Sequence, residues 1–139
     1  MTPMALNDVD RQFRGPDSLV HQVSGFEYHA DLSFWDIFRA EWPLLTLLQP
    51  QRAGDIIQTV VLHSKLFGML PLNAYRGRES FVMIGSHSLP VIAEAYAKGL
   101  RGWDTNDALA AMVGASERVD DEHGSSIGYE SYRSQGWIA

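Results

Sequence analysis

Residues 32–48 read LSFWDIFRAEWPLLTLL, and the interpretation of the whole chain turns on them. Trp35, Phe38, Trp42 and Leu45 fall at helical spacing, and Leu44 and Leu48 widen the stripe. Ser33 with Asp36 three residues later resembles a capping box, so a helix starts there. Pro43 has no N–H to give to the carbonyl of residue 39, which predicts a kink or a restart. The anomaly is polar: Asp36 and Arg39 stand inside the first turns of a helix built for burial. One account makes Asp36 a third-position carboxylate favoured by the helix dipole, paired with Arg39 at i,i+3. A second notes that a planar donor fork, an acceptor-only carboxylate and the Trp35 ring, gathered at one helix start, suit a polyhydroxylated ring.

Outward from this stretch, Pro50 fits the first position of another helix, with Ala53, Ile56, Ile57, Val60 and Val61 on one face. The short Gln49-Pro50 link makes the two an αα-hairpin, ended by Gly68 and Pro71. Residues 68–85 read as a loop with a short extended end. A third helix is predicted over 88–98, stopped by Gly99. A fourth, capped by Asp104 or Thr105, runs to about Glu117. Upstream, residues 1–31 hold turn-formers without a sustained period, and read as irregular chain with a short extended piece at 25–29. Residues 118–139 read as a loosely ordered tail. Residues 1–139 thus predict an all-α partial domain of helical hairpins with long loops.

Composition narrows the function. A hydrophobic share of 45% with 20% charged residues is that of a globular chain and not a disordered one. Eleven basic residues stand against 17 acidic, and no basic stripe interleaves with aromatics, so no nucleic-acid partner is expected. No apolar run reaches the roughly 20 residues of a membrane span. Asp8 and Asp10 interrupt the N-terminus where a signal peptide needs an apolar core, and nothing else in the sequence fixes a compartment. With no cysteine, disulfides and thiolate metal sites are excluded. The four Trp suit a sugar-binding cleft or simple core packing.

Several chemistries fail on spacing. Asp8-Val9-Asp10 opens like a calcium loop, but Phe13 occupies the position that demands Gly, and no Glu closes it. The histidines at 21, 29, 63, 87 and 123 include no His-x-x-x-His pair. Gly85-Ser86-His87-Ser88 is not a nucleophile elbow. The glycines do not form a phosphate loop. Asp36, Glu79 and Glu94 are the carboxylates weighed for a glycosidase pair, which spacing alone does not define.

Three collinear segments carry a family likeness. FWDIFRAEWPLLTLLQPQR (34–52) resembles the Trp-Asp-Thr-Phe-Arg helix of glycoside hydrolase family 92, the calcium-dependent exo-α-mannosidases. NDVDRQFRG (7–15) is similar to its Asp-Val-Asp-Gly-Arg-Tyr-Arg-Gly segment. GRESFVMIGSHSLPVIAEAYAKGLRGWD (77–104) is similar to its Gly-Asn-Glu-Thr-Asn-Cys-Met-Ile-Gly segment and the Pro-Val-Ile-Ala-Asp-Ala-Tyr-x-Lys-Gly that follows. Ile37 stands in place of Thr, Arg11 in place of Gly, and residues 80–82 in place of Thr-Asn-Cys.

The resemblance implies part of an (α/α)6 barrel that hydrolyses terminal α-linked mannose, α-1,2 among the linkages, with inversion. By that likeness Asp36 and Arg39 bind mannose hydroxyls, Trp35 shapes the pocket, and Glu79 and His87 belong to loops beside it. It also implies that the catalytic acid and base and the calcium ligands lie outside the matched segments, so the chain by itself is expected to be inactive. Family enzymes are often secreted or periplasmic. The rival expectation is a non-catalytic helical binding module, self-associating through exposed helix faces.

Overall fold

The computed structural model describes residues 3–118 and 128–138, and is roughly half helical with short strands. Three antiparallel pairs correct the expectation of an all-α chain with an irregular start. Strand β1 (Met4–Ala5) pairs with β4 (His29–Ala30), and β2 (Gln12–Arg14) pairs with β3 (Val20–Gln22). Later, β5 (Ala74–Tyr75) pairs with β6 (Arg78–Glu79) inside the segment read as loop. The extended piece expected at 25–29 becomes a strand only at its last residue. Tight turns make these pairs possible. Arg76 and Gly77 both take positive φ, 49° and 79°, as a two-residue hairpin loop of this kind needs. Arg11 has φ 65° in a turn closed by its own N–H on the Asp8 carbonyl at 2.9 Å.

From residue 34 onward the helices are α1 (Phe34–Ile37), α2 (Glu41–Leu48), α3 (Pro50–Phe67), α4 (Ser88–Ala97), α5 (Thr105–Glu117) and α6 (Tyr129–Gln135). The helix predicted from Ser33 breaks before Pro43 and restarts at Glu41. Proline then occupies the third helical position, where the missing N–H costs nothing because no carbonyl awaits it. Pro50 opens α3, and left-handed Gly68 closes it at φ 85°. Asp104 caps α5, accepting from the Asn106 and Asp107 amides at 2.9 and 3.0 Å. Those two amides hold the Asp104 carboxyl below its ordinary range. Part of the segment read as a loose tail is helix α6, with residues 119–127 and 139, and the charge cluster at 120–122, outside the described residues.

Helix α3 is the hub, packed against α2, α4 and α5. Ile56, Ile57, Val60, Trp42, Val91 and Ala95 form the main core, none more than 2% exposed. Burial of each large side chain contributes about 1.5–3 kcal/mol. The opposite side of α3 carries Leu62 and Leu66 under the N-terminal strands, where Phe13 stacks on Tyr28 at 3.7 Å. Polar stitches fix this layer: buried Thr59 accepts from the His29 amide at 3.1 Å and donates to the Asp55 carbonyl at 2.9 Å. No helix among the described residues is long and apolar enough to cross a membrane.

Candidate functional site

Helix α1 is a single turn, and its brevity shapes the site. Phe34 and Ile37 point into the core, so Trp35 and Asp36 face outward and are exposed. Phe38 closes the turn through its amide on the Phe34 carbonyl at 3.0 Å. Arg39 therefore lies in the bend before α2 and not on the helix, which corrects the expectation that it shares a helix face with Asp36. Ser33 is the N-cap, but its hydroxyl donates to the Asp36 carboxylate and leaves the amides of the first turn uncapped by side chains. The capping box is thus replaced by a serine that orients a carboxylate.

The i,i+3 ion pair weighed for Asp36 and Arg39 is not formed; among the described residues neither side chain has an oppositely charged partner within 4 Å. Arg39 instead lies over the Phe38 ring, its Cζ 5.2 Å from the centroid. His87, half-buried at the head of α4, packs against the same ring at 4.5 Å. The structure thus brings His87 to the exit of α1, with Trp35, Asp36 and Arg39 on the same short stretch.

Glu79 has another position. Its Oε2 accepts from the Leu72 amide at 2.8 Å, and its Oε1 from Asn73, Ser80 and Phe81 at 3.0, 2.9 and 3.1 Å. Four backbone donors converge on one carboxylate, which ties the strand entering the β5–β6 hairpin to the strand leaving it. Glu79 braces this loop, and nothing in the spacing of residues 68–85 signalled it. The brace also holds Phe81 at φ 54°, a backbone state that Asn adopts more readily than Phe.

His63, on α3, received no functional reading from the sequence. It is fully buried, neither ring nitrogen has a protein partner among the described residues, and desolvation pushes it down to about 4. It is a neutral core histidine set against Phe67 at 5.7 Å. Asp17, in the β2–β3 turn, and His21, on β3, form a partly buried pair at 2.8 Å. Burial pushes the Asp17 carboxyl up, but the Leu19 amide and His21 outweigh it and leave it below its ordinary range. Among the described residues no three His, Asp or Glu side chains converge on one point.

The family model of the glycosyl hydrolase family 92 catalytic domain matches residues 1–139, and the chain belongs to that family. Two structures of the family GH92 α-mannosidase BT3965 from Bacteroides thetaiotaomicron, one of them in complex with mannoimidazole, superpose at TM-score 0.90 and 29% identity. The match covers 99% of this chain and 18% of theirs. The family GH92 inverting mannosidase BT2199 from Bacteroides thetaiotaomicron VPI-5482 superposes at 0.87 with 27% identity, over 99% of this chain and 19% of its own. The chain spans less than a fifth of the mannosidases it resembles. No curated protein matches the sequence.

Proposed function

We propose that this chain supplies the sugar-positioning wall of an α-mannosidase that removes terminal α-linked mannose, α-1,2 among the linkages, with inversion. The observation that carries this is the open polar pair at α1: Asp36 and Arg39 are exposed and unpaired with each other, in a chain whose structural relative binds mannoimidazole. A carboxylate has roughly four lone-pair positions and Ser33 takes one, so adjacent hydroxyls of a pyranose have acceptors left. Arg39 donates to the oxygens of the same hydroxyls, and the exposed Trp35 ring covers the apolar face of the sugar. His87 borders the ring's edge, and Glu79 holds the neighbouring hairpin in shape.

Catalysis by inversion needs an acid for the leaving oxygen and a base for water, on carboxyls about 6.5–9.5 Å apart. We assign neither to this chain, nor the calcium ligands; these lie in other parts of an (α/α)6 barrel. The isolated 139 residues therefore bind mannoimidazole but release no mannose. Titration of mannoimidazole watched by Trp fluorescence, with Trp35→Phe as the control, tests the first half. Release of mannose from an α-1,2-linked disaccharide by this chain alone overturns the second.

One observation favours the rival reading of a non-catalytic binding module. Leu44, Leu47 and Leu48 are 54%, 75% and 67% exposed on the outer side of α2, an apolar row open to association. Concentration-dependent dimerisation in sedimentation, without any response to mannoimidazole, would support it.

A further inference from the structure

We infer that Phe38 is a positioning residue that clamps Arg39 and His87 on one ring and so sets the geometry of the sugar-facing end of α1. This rests on the assignment of Arg39 to mannose made above. Three observations carry it. Arg39 Cζ lies 5.2 Å from the Phe38 centroid, and that contact is the guanidinium's interaction among the described residues. His87 meets the same ring at 4.5 Å with the planes tilted by 43°. Phe38 itself is anchored, partly buried against the main core, with its amide on the Phe34 carbonyl.

The far side of the clamp is built too. Gly85 has φ 80°, and a Cβ there would come within 2.8 Å of His87 Cε1. A side chain at residue 85 would therefore push the His87 ring from its place over residue 85 and against Phe38. His87 cannot slide along its helix, because the next residue, Ser88, is buried and donates its hydroxyl to the Pro71 carbonyl.

The physical consequence concerns entropy. An exposed arginine carries about 2 kcal/mol of rotamer entropy, much of it lost when it must hold a ligand. A guanidinium already resting on an aromatic face has lost part of that freedom before the sugar arrives. Phe38 then acts on binding without touching the sugar.

NMR of the full 139-residue chain without sugar tests the clamp directly. In the wild type, the Arg39 Hε and His87 ring protons carry aromatic ring-current shifts. In Phe38→Leu both shifts vanish while circular dichroism and melting stay near wild type. Phe38→Tyr restores them, and Gly85→Ala displaces the His87 signals alone. If Phe38→Leu unfolds, Phe38→Met gives the same comparison without a ring. Unchanged Arg39 and His87 signals in a folded, ring-less variant overturn the inference. Mannoimidazole titration then separates the two claims. Phe38→Leu binds about fivefold more weakly and Phe38→Tyr recovers, as loss of one cation–π contact implies. If the wild type binds and Phe38→Leu binds equally well, positioning fails and the functional assignment stands. If the wild type shows the ring-current shifts but no binding, the functional assignment fails and Phe38 is a structural clamp only.

Discussion

Asp36 and Glu79 are two carboxylates from two segments with the same family likeness, and their surroundings could hardly differ more. Asp36 sits at the outer edge of a one-turn helix, touched by a single serine hydroxyl. Glu79 has both oxygens occupied by four backbone amides. A carboxylate whose acceptors are filled from within shapes the protein; one whose acceptors face water is available to a ligand. The difference teaches that a carboxylate in a family motif can serve the loop as readily as the sugar, and that the partners of its oxygens decide which. Several substitutions and one change of pH sharpen that contrast, and the largest effect is expected closest to Glu79.

His63 lies under the braced side of the molecule and feels the Glu79 charge. Burial holds it at about 4, against an ordinary value of 6.5. The unfolded chain therefore binds the proton first as pH falls. Stability is fully present above about pH 6.5 and is lost progressively down to about pH 4, by up to about 3 kcal/mol. Urea unfolding at pH 7 and pH 4.5 measures it. His63→Leu should flatten that part of the acid slope while keeping neutral-pH stability close to wild type. A slope as steep in the variant as in the wild type would assign the acid sensitivity elsewhere.

Glu79→Ala leaves the Leu72, Asn73 and Phe81 amides without their Glu79 acceptor, while the Ser80 amide keeps the Asn73 carbonyl at 3.2 Å. Those near the hairpin surface recover water and those beneath it do not, so the net cost is about 2 kcal/mol, well below a sum of four charge-assisted bonds. Hydrogen exchange at the Leu72, Asn73 and Phe81 amides should accelerate together, because they share the Glu79 acceptor, and the Ser80 amide, which also meets the Asn73 carbonyl, should respond least. Independent rates in the variant, with protection kept at two or more of them, would show that the hairpin holds without the brace.

Arg11 gives a smaller effect of opposite sign. It occupies a left-handed backbone state at φ 65°, where a side chain costs about 1–2 kcal/mol. Arg11→Gly relieves that, gives up the guanidinium contact to the Phe26 carbonyl at 3.3 Å, and adds freedom to the unfolded chain. The net gain is about 0.5 kcal/mol, seen as a small rise in melting temperature.

The helices were legible because their ends carry unambiguous local chemistry. Pro50 can start a helix but not continue one from residue 46, Gly68 and Gly99 supply left-handed stops, and Asp104 offers its oxygens to free amides. The strands were not, since each has two or three residues and no period of two can show in so short a run. Arg76-Gly77 was the available signal for the later hairpin, weakened by an arginine where Asn is usual. The candidate site was legible as composition and not as geometry. Trp35, Asp36 and Arg39 could be named from the motif, yet the break at residues 38–40 that lifts Arg39 off the helix is set by packing of Phe34, Ile37 and Trp42. The Phe38–His87 contact spans 49 residues of sequence, and the four amides on Glu79 arise only once the hairpin closes. No local pattern encodes either.

Asp36→Asn has the smallest effect on folding and is the most informative for the contrast with Glu79. The side chain is exposed, the replacement is the same size, and an amide oxygen still accepts from Ser33, so stability should stay within about 0.5 kcal/mol. What changes is the ligand side: one acceptor oxygen becomes a donor, and it then meets either a sugar hydroxyl with its proton turned the wrong way or the donors of Arg39. Losing one charge-assisted hydrogen bond corresponds to about tenfold or more in affinity. Mannoimidazole binding should therefore fall by at least that factor in a protein that melts like the wild type. The matched Glu79→Gln should do the reverse, lowering the melting temperature while leaving affinity per folded molecule nearly unchanged. If instead Asp36→Asn destabilises the chain and spares binding, the Ser33 contact is structural, the two carboxylates share one role, and the proposed sugar contact is made by other residues.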